Sequence, residues 1–271
     1  MIQTARQTIR HVLFKHKALR GPLVRSRYRG LGAHDAFLAS YPRSGTTWLR
    51  FLLFEALTGE TAAFGATKHA VPSIGKQDEA RPVLHGGGRL IQTHEPFCDG
   101  DRKVVYVVRD ARSVVVSEHA WQGRSGFYDG PLDDFVAAFL AGESNPWGSW
   151  GDHVAFWRHS PPAAGEHLLV VRYEDLRADT KKVFAEVLRF FDVTLEDAVL
   201  EDAIRHNSLE AMRAKEDEAK EQGWRSSANQ DIRFINSGTV GGWREKLTAE
   251  QASAIEERFG DTMAALGYLG R

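Results

Sequence analysis

The sequence predicts an α/β fold, a three-layer sandwich with a central parallel sheet flanked by helices. Two observations predict it. Short apolar or β-branched runs at residues 37–39, 90–91, 103–108 and 168–171 alternate with segments of helical spacing. Each run stops at a polar cluster, where an open parallel sheet keeps its ligands. A 271-residue chain, 42% hydrophobic and 26% charged, is large enough to bury such a core.

The elements follow in order. Residues 1–35 are locally basic, with Arg6, Arg10, Lys15, Lys17, Arg20, Arg25, Arg27 and Arg29. They are expected to form a solvated helix and linker ahead of one domain at 36–271, with peripheral contact to an anionic lipid or polymer as the sharper alternative. Phe37-Leu38-Ala39 is a buried strand. Residues 48–57 form a core helix capped by Thr46 or Thr47 and stopped by Gly59. Gly86-Gly87-Gly88 precedes a short strand ending at His94. KVVYVV, residues 103–108, is a parallel strand ending at Arg109-Asp110, and 113–120 is the helix after it. Residues 122–130 hold three glycines and read as a loop. Helices are expected at 131–141, 149–159, 181–191, 195–205 and 248–266, the last capped by Thr248. Residues 213–232 read as a surface helix or loop.

The formal net charge of -1 supplies no field for nucleic acid or an anionic membrane. The single cysteine, Cys98, leaves no disulfide and no cysteine-based metal cluster. No apolar run in 1–36 has the length of a signal peptide or membrane span, so a cytoplasmic location is expected.

Residues 37–48, FLASYPRSGTTW, bring an apolar strand, a loop of small hydroxylated residues and a helix together in that order. Exposed backbone N–H groups and the helix dipole make such a place an anion site. Arg43 adds charge, and Ser44, Thr46 and Thr47 add hydroxyls. The loop is P-loop-like, yet it lacks the first glycine and the Gly-Lys pair of an ATP-binding loop. Arg109 ends a strand, and Ser117 lies two helical turns on, so the two can share a second phosphate; a surface Arg109–Asp110 pair is the plainer alternative. His94, one of 11 histidines, stands out by its place at a strand end.

These segments resemble the PAPS-dependent sulfotransferases of bacterial type, PAPS being 3′-phosphoadenosine 5′-phosphosulfate. The likeness runs from about residue 36 to 268. It implies that residues 44–48 (Ser44, Gly45, Thr46, Thr47, Trp48) hold the 5′-phosphate, with Trp48 stacking on adenine and Arg43 steadying the bridging oxygen. Arg109 and Ser117 would grip the 3′-phosphate. Residues 232–244, IRFINSGTVGGWR, resemble a third signature that adds Phe234, Ile235, Asn236, Ser237 and Gly238. Asn236 and Ser237 replace the usual Arg and Lys there. Tyr173 in RYEDL and Leu209 in NSL correspond to residues near adenine. His94 in QTHEP is the implied general base, able to take a hydroxyl proton at neutral pH with an unperturbed pKa near 6.5. Gln92 replaces the family's lysine. No metal is implied.

The resemblance implies sulfuryl transfer to a hydroxyl, leaving adenosine 3′,5′-bisphosphate (PAP). Segments 60–88 and 119–147 are expected to shape the acceptor pocket. Their Gly, Gln and Trp residues, among them Gly86 to Gly88 and Trp147, together with nearby Trp150, point to a carbohydrate, a glycolipid, or a glycosylated or phenolic small molecule. Two rivals remain: an ATP-dependent kinase using Asp110 for Mg²⁺, and a non-catalytic nucleotide-binding module.

Overall fold

Alternate side chains of each buried strand serve opposite faces of one sheet, and this alternation divides the hydrophobic core in two. In the computed structural model, which describes residues 17–98, 100–222, 233, 235 and 238–270, the strands are β1 (Ala36–Ser40), β2 (Leu90–Thr93), β3 (Val104–Val108) and β4 (Leu168–Arg172). They run parallel in the order β2-β1-β3-β4. Leu38, Leu90, Val105 and Val107 join one core, whereas Phe37, Ile91, Tyr106 and Val108 join the other. Two cores back to back on a parallel sheet make the three-layer sandwich expected from the sequence.

The strand order reverses at β1. From β1 the chain goes outward to β2 on one side, then returns to add β3 on the other. Loops leaving the carboxyl ends of β1 and β3 therefore diverge and open a crevice between them. Helix α2 (Thr46–Thr58) follows β1 and packs on the first core through Leu49, Leu52 and Leu53. Its preceding residue is Gly45, at φ 96°, and no side chain caps it. The expected threonine cap is absent because Thr46 instead bonds Ser40 Oγ through its own hydroxyl. Gly59, at φ 69°, ends the helix by donating its N–H to Glu55 O, as its position predicts.

Helix α4 (Ala111–Ser125) follows β3 and is longer than its sequence suggests. Asp110 caps it through Arg112 N at 2.9 Å. Buried Gln122 and Arg124 extend it through much of the stretch expected to be a loop. Gln122 Nε2 donates to Ser144 O at 2.7 Å, and that tertiary bond outweighs Gly123's poor helix propensity. Only residues 126–131 remain outside regular structure before helix α5 (Leu132–Leu140).

The other principal helices are α1 (Lys17–Arg27), α3 (Phe64–Ala70), α6 (Trp150–Arg158), α7 (Pro161–Ala164), α8 (Tyr173–Ala178), α9 (Thr180–Phe190), α10 (Asp197–His206), α11 (Leu209–Glu221) and α12 (Ala249–Ala265). Thr248 caps α12 in a capping box with Gln251. The described end of the basic segment, a helix and a short stretch that are mostly exposed, is tied to the domain through Tyr28 and Arg27. Tyr28 is buried, with its ring edge-on to Phe37 and Phe97, and Arg27 pairs with buried Glu95 at 2.5 Å. Among the described residues, no helix is long and apolar enough to cross a membrane.

Candidate active site

The crevice at the carboxyl ends of β1, β2 and β3 holds a cavity of about 600 Å³. Residues far apart in sequence line it: Arg43, Gly45, Thr46, Thr47 and Trp48 after β1, Gln92 and His94 after β2, Arg109 and Ser117 after β3, and Tyr173, Leu209 and Gly238. Most of the residues singled out in the sequence therefore meet at one place. Ser44 is fully buried beneath the loop, with its hydroxyl lacking a protein partner. Ile235 lies apart from the lining, where its N–H donates to Glu216 at 2.8 Å. Phe234, Asn236 and Ser237 fall outside the described residues.

Loop 41–45 is shaped by two positive backbone angles, Arg43 at φ 67° and Gly45 at φ 96°. Gly45 has no substitute here. A Cβ on it would stand 2.3 Å from Tyr173 Cδ2. The bare backbone lies against the Tyr173 ring at the start of a helix, a place whose exposed N–H groups and dipole suit an anion. Arg43 Nε donates to Ser117 Oγ at 3.2 Å, and Arg109 Nη1 donates to the Arg43 carbonyl at 3.2 Å. Burial pushes the Arg43 guanidinium down to about 10, with Arg109 adding to the effect and Glu118 opposing it. It remains charged at neutral pH.

On the other side of the loop, Arg109 lies over the Tyr173 ring at 4.6 Å, and its Nε has no protein partner. Tyr173 OH donates to Gly238 O at 3.3 Å. The Trp48 indole donates to Asn207 O at 2.7 Å and carries Arg177 over its ring. Aromatic faces, two guanidiniums and a helix N-terminus together suit an anionic nucleotide: the orphaned buried atoms of Ser44 and Arg109 and the glycine cradle are all on that side.

His94, which follows β2, lines the same cavity. Its Nδ1 lies 2.8 Å from Ser40 O and 3.2 Å from Ser40 Oγ. A carbonyl only accepts, so Nδ1 carries the proton and Nε2 keeps its lone pair. Burial lowers the ring's pKa to about 4, helped by the charges of Arg43, Arg50 and Arg27. The value near 6.5 expected from the sequence is thereby corrected: the ring is neutral at pH 7 and a weaker base than an exposed histidine. Trp147 packs edge-on against it at 5.4 Å.

A Sulfotransferase domain model matches residues 33–267. The chain belongs to the sulfotransferase domain family. Among relatives, it is 27% identical over 251 residues to Sulfotransferase 1C2 of Rattus norvegicus, covering 84% of this chain and 83% of that one. It is 26% identical over 247 residues to Sulfotransferase 1 family member D1 of the same species, covering 83% and 82%. Among solved structures, mouse sulfotransferase SULT7A1 complexed with PAP is similar at a TM-score of 0.66 and 20% identity, covering 92% and 91% of the two chains. Retinol dehydratase in a complex with retinol and PAP is similar at 0.69 and 20% identity, covering 89% and 86%.

Three features of this sulfotransferase-family site escape a reading of sequence alone. Glu118 is 1% exposed and lines the cavity. Its Oε1 accepts from Asn145 at 2.7 Å and Gln122 at 3.2 Å, while Oε2 has no protein partner. Burial raises its pKa to about 7. His153 Nε2 donates to the His94 carbonyl at 3.0 Å, and Tyr106 OH donates to His153 Nδ1 at 2.9 Å, fixing the backbone behind His94. Arg50, one turn into α2, also lines the cavity. The only sequence signal for Glu118 and Arg50 is helical spacing from residues already singled out.

Other expectations are corrected. No residue of segment 60–88 lines the cavity, and Gly88 instead lies against the His34 backbone, where a Cβ would meet its carbonyl at 2.1 Å. Trp150 is fully buried in the second core, whereas Trp147 and Trp121 line the cavity. Asp110, which a kinase would need for metal, spends its carboxylate on capping α4 and on Arg112 at 2.6 Å. Among the described residues, no group of three His, Cys, Asp or Glu side chains is placed to hold a metal ion.

Proposed function

We propose that this chain transfers a sulfuryl group from PAPS to a hydroxyl of a small-molecule or glycan acceptor, with His94 as general base and no metal. The observation that carries the reading is the position of His94. Its unprotonated Nε2 and the Gly45 cradle line one cavity, so a base and an anion site address the same space. PAPS, when bound, supplies sulfur already activated by its link to phosphate. The chain's own residues then have two tasks, positioning and charge neutralisation.

In this reading Ser44 to Trp48 hold the 5′-phosphate, and Arg43 offers positive charge at the loop. Arg109 and Ser117 hold the 3′-phosphate. Ser117 Oγ accepts from Arg43 Nε, which leaves its hydroxyl proton available to donate. Tyr173, Leu209 and Gly238 flank the base. His94 Nε2 takes the acceptor's hydroxyl proton, and the Ser40 carbonyl stabilises the imidazolium through Nδ1–H. Trp121, Trp147 and Glu118 form the acceptor end. Aromatic walls beside a polar group fit a glycosylated or phenolic acceptor, and the fold-related retinol dehydratase has been solved with androsterone and with retinol. A cytoplasmic location is part of this reading. The basic stretch from Arg6 to Arg29 supplies the surface for peripheral contact with an anionic lipid or polymer.

The test is transfer of labelled sulfur from PAPS to pooled acceptors in the presence of EDTA. Label on an acceptor hydroxyl supports the reading. Transfer that EDTA abolishes and Mg²⁺ restores, or binding of PAPS with no transfer to any acceptor, contradicts it.

A further inference from the structure

A cation inside a protein normally faces a carboxylate, because an unpaired buried charge is costly. Arg50 faces none. It makes no hydrogen bond or ion pair with any described residue, and its Nε is buried without a protein acceptor. Burial alone pushes its guanidinium down to about 10, with no acid beside it to offset the cost. Its titratable neighbours are basic: Lys68 and His94 are both pushed down by its charge.

The helix places this cation. Thr46 and Arg50 are four residues apart and share a face of α2. Thr46 meets Ser40, and Ser40 meets His94. Trp48, on another face, is turned toward Asn207 and Arg177 on the nucleotide side. Arg50 therefore belongs to the part of the cavity that holds His94, on whose ring its charge acts, and lies a full turn beyond the helix N-terminus that would hold a phosphate. Arg50 is half-buried there and faces no protein carboxylate, which leaves its charge open to a negative partner brought by a ligand.

We propose that Arg50 is the counter-ion of an oxyanion bound beside His94. The inference rests on the sulfuryl-transfer reading. Two sources share the chemistry. One is the transferable sulfuryl group of the donor, which carries a negative charge. The other is an acidic group, carboxylate or phosphate, on the acceptor. Arginine suits either, since its planar fork meets two oxygens at once and stays charged at any physiological pH.

Calorimetry separates the sources. Wild type, Arg50→Gln and Arg50→Lys are titrated with PAPS and with PAP. PAP-saturated protein is then titrated with 4-hydroxybenzoate and its neutral match, 4-hydroxybenzamide. PAP affinity should be unchanged in both variants, which also certifies their fold. If the donor supplies the oxyanion, Arg50→Gln weakens PAPS roughly tenfold or more relative to PAP, the range for a charge-assisted hydrogen bond, and Arg50→Lys recovers part of the loss. If the acceptor supplies it, the PAPS to PAP ratio stays fixed. The acid then binds wild type about tenfold more tightly than the amide, and Arg50→Gln erases the preference. If neither ratio moves on losing Arg50, the proposal is overturned while PAP binding stands. Failure of wild type to bind PAP defeats the sulfuryl-transfer reading, and this proposal with it.

Discussion

His94 Nδ1 donates to the carbonyl of Ser40 across 2.8 Å, joining the end of β2 to the end of β1. The bond fixes which nitrogen is free and ties the candidate base to the strand that delivers the phosphate-binding loop. Burial, reinforced by Arg43, Arg50 and Arg27, lowers the ring's pKa to about 4. The sign follows from linkage. The folded pKa lies below the unfolded value of 6.5, so this group contributes stability above pH 6.5 that is lost as pH falls toward 4. Imidazole NMR should show His94 neutral, with its proton on Nδ1, throughout pH 6–8 (roughly the physiological range). A titration midpoint near 6.5 would contradict the buried, cation-flanked environment.

Gly45→Ala should destabilise the chain by about 2–4 kcal/mol, combining backbone strain at φ 96° with a clash against Tyr173. It should also disturb the loop and weaken PAP binding. Denaturant unfolding and calorimetry check both, and a variant with unchanged stability would show that the Tyr173 contact yields easily.

Glu118 carries a pH dependence of the opposite kind. Burial raises its carboxyl from 4.5 to about 7, so the folded state holds a proton that the unfolded state gives up. Its contribution is greatest at low pH and declines as pH rises through that window, by roughly 2–3 kcal/mol at most. Glu118→Gln, neutral at every pH, should flatten the stability profile between pH 4.5 and 7. A profile identical to wild type would mean that the carboxylate is better solvated than its burial implies.

Arg109→Ala should cost about 1.5–3 kcal/mol of PAP binding and much less of ATP binding, since Arg109 is proposed to address the 3′-phosphate. Calorimetry with both nucleotides tests this. Equal losses would move Arg109 to a general role in shaping loop 41–45, whose Arg43 carbonyl it already holds.

Much of this architecture was legible in the sequence, because it depends on local patterns. Apolar runs marked β1 and β3, and the hydroxyl-rich loop after Phe37-Leu38-Ala39 marked the anion site. What escaped depends on tertiary contact. Gly123 reads as a loop residue, yet α4 continues through it because Gln122 and Arg124 are buried. Trp150 and Trp147 look alike in sequence, and only packing sends one to the core and the other to the cavity. Glu118 carries no local sign of burial, since its partner Asn145 is 27 residues away. The lowered pKa of His94 likewise requires knowing that the ring is buried and that Arg43, Arg50 and Arg27 lie near it.

The most direct test of the account is His94→Ala, measured for turnover with PAPS and for PAP affinity on the same preparation. The account predicts that turnover falls by about 10²–10⁴-fold, the usual contribution of a general base, while PAP affinity changes by less than about twofold. Turnover near the wild-type rate would contradict it, and the proton acceptor would then have to be sought elsewhere in the cavity.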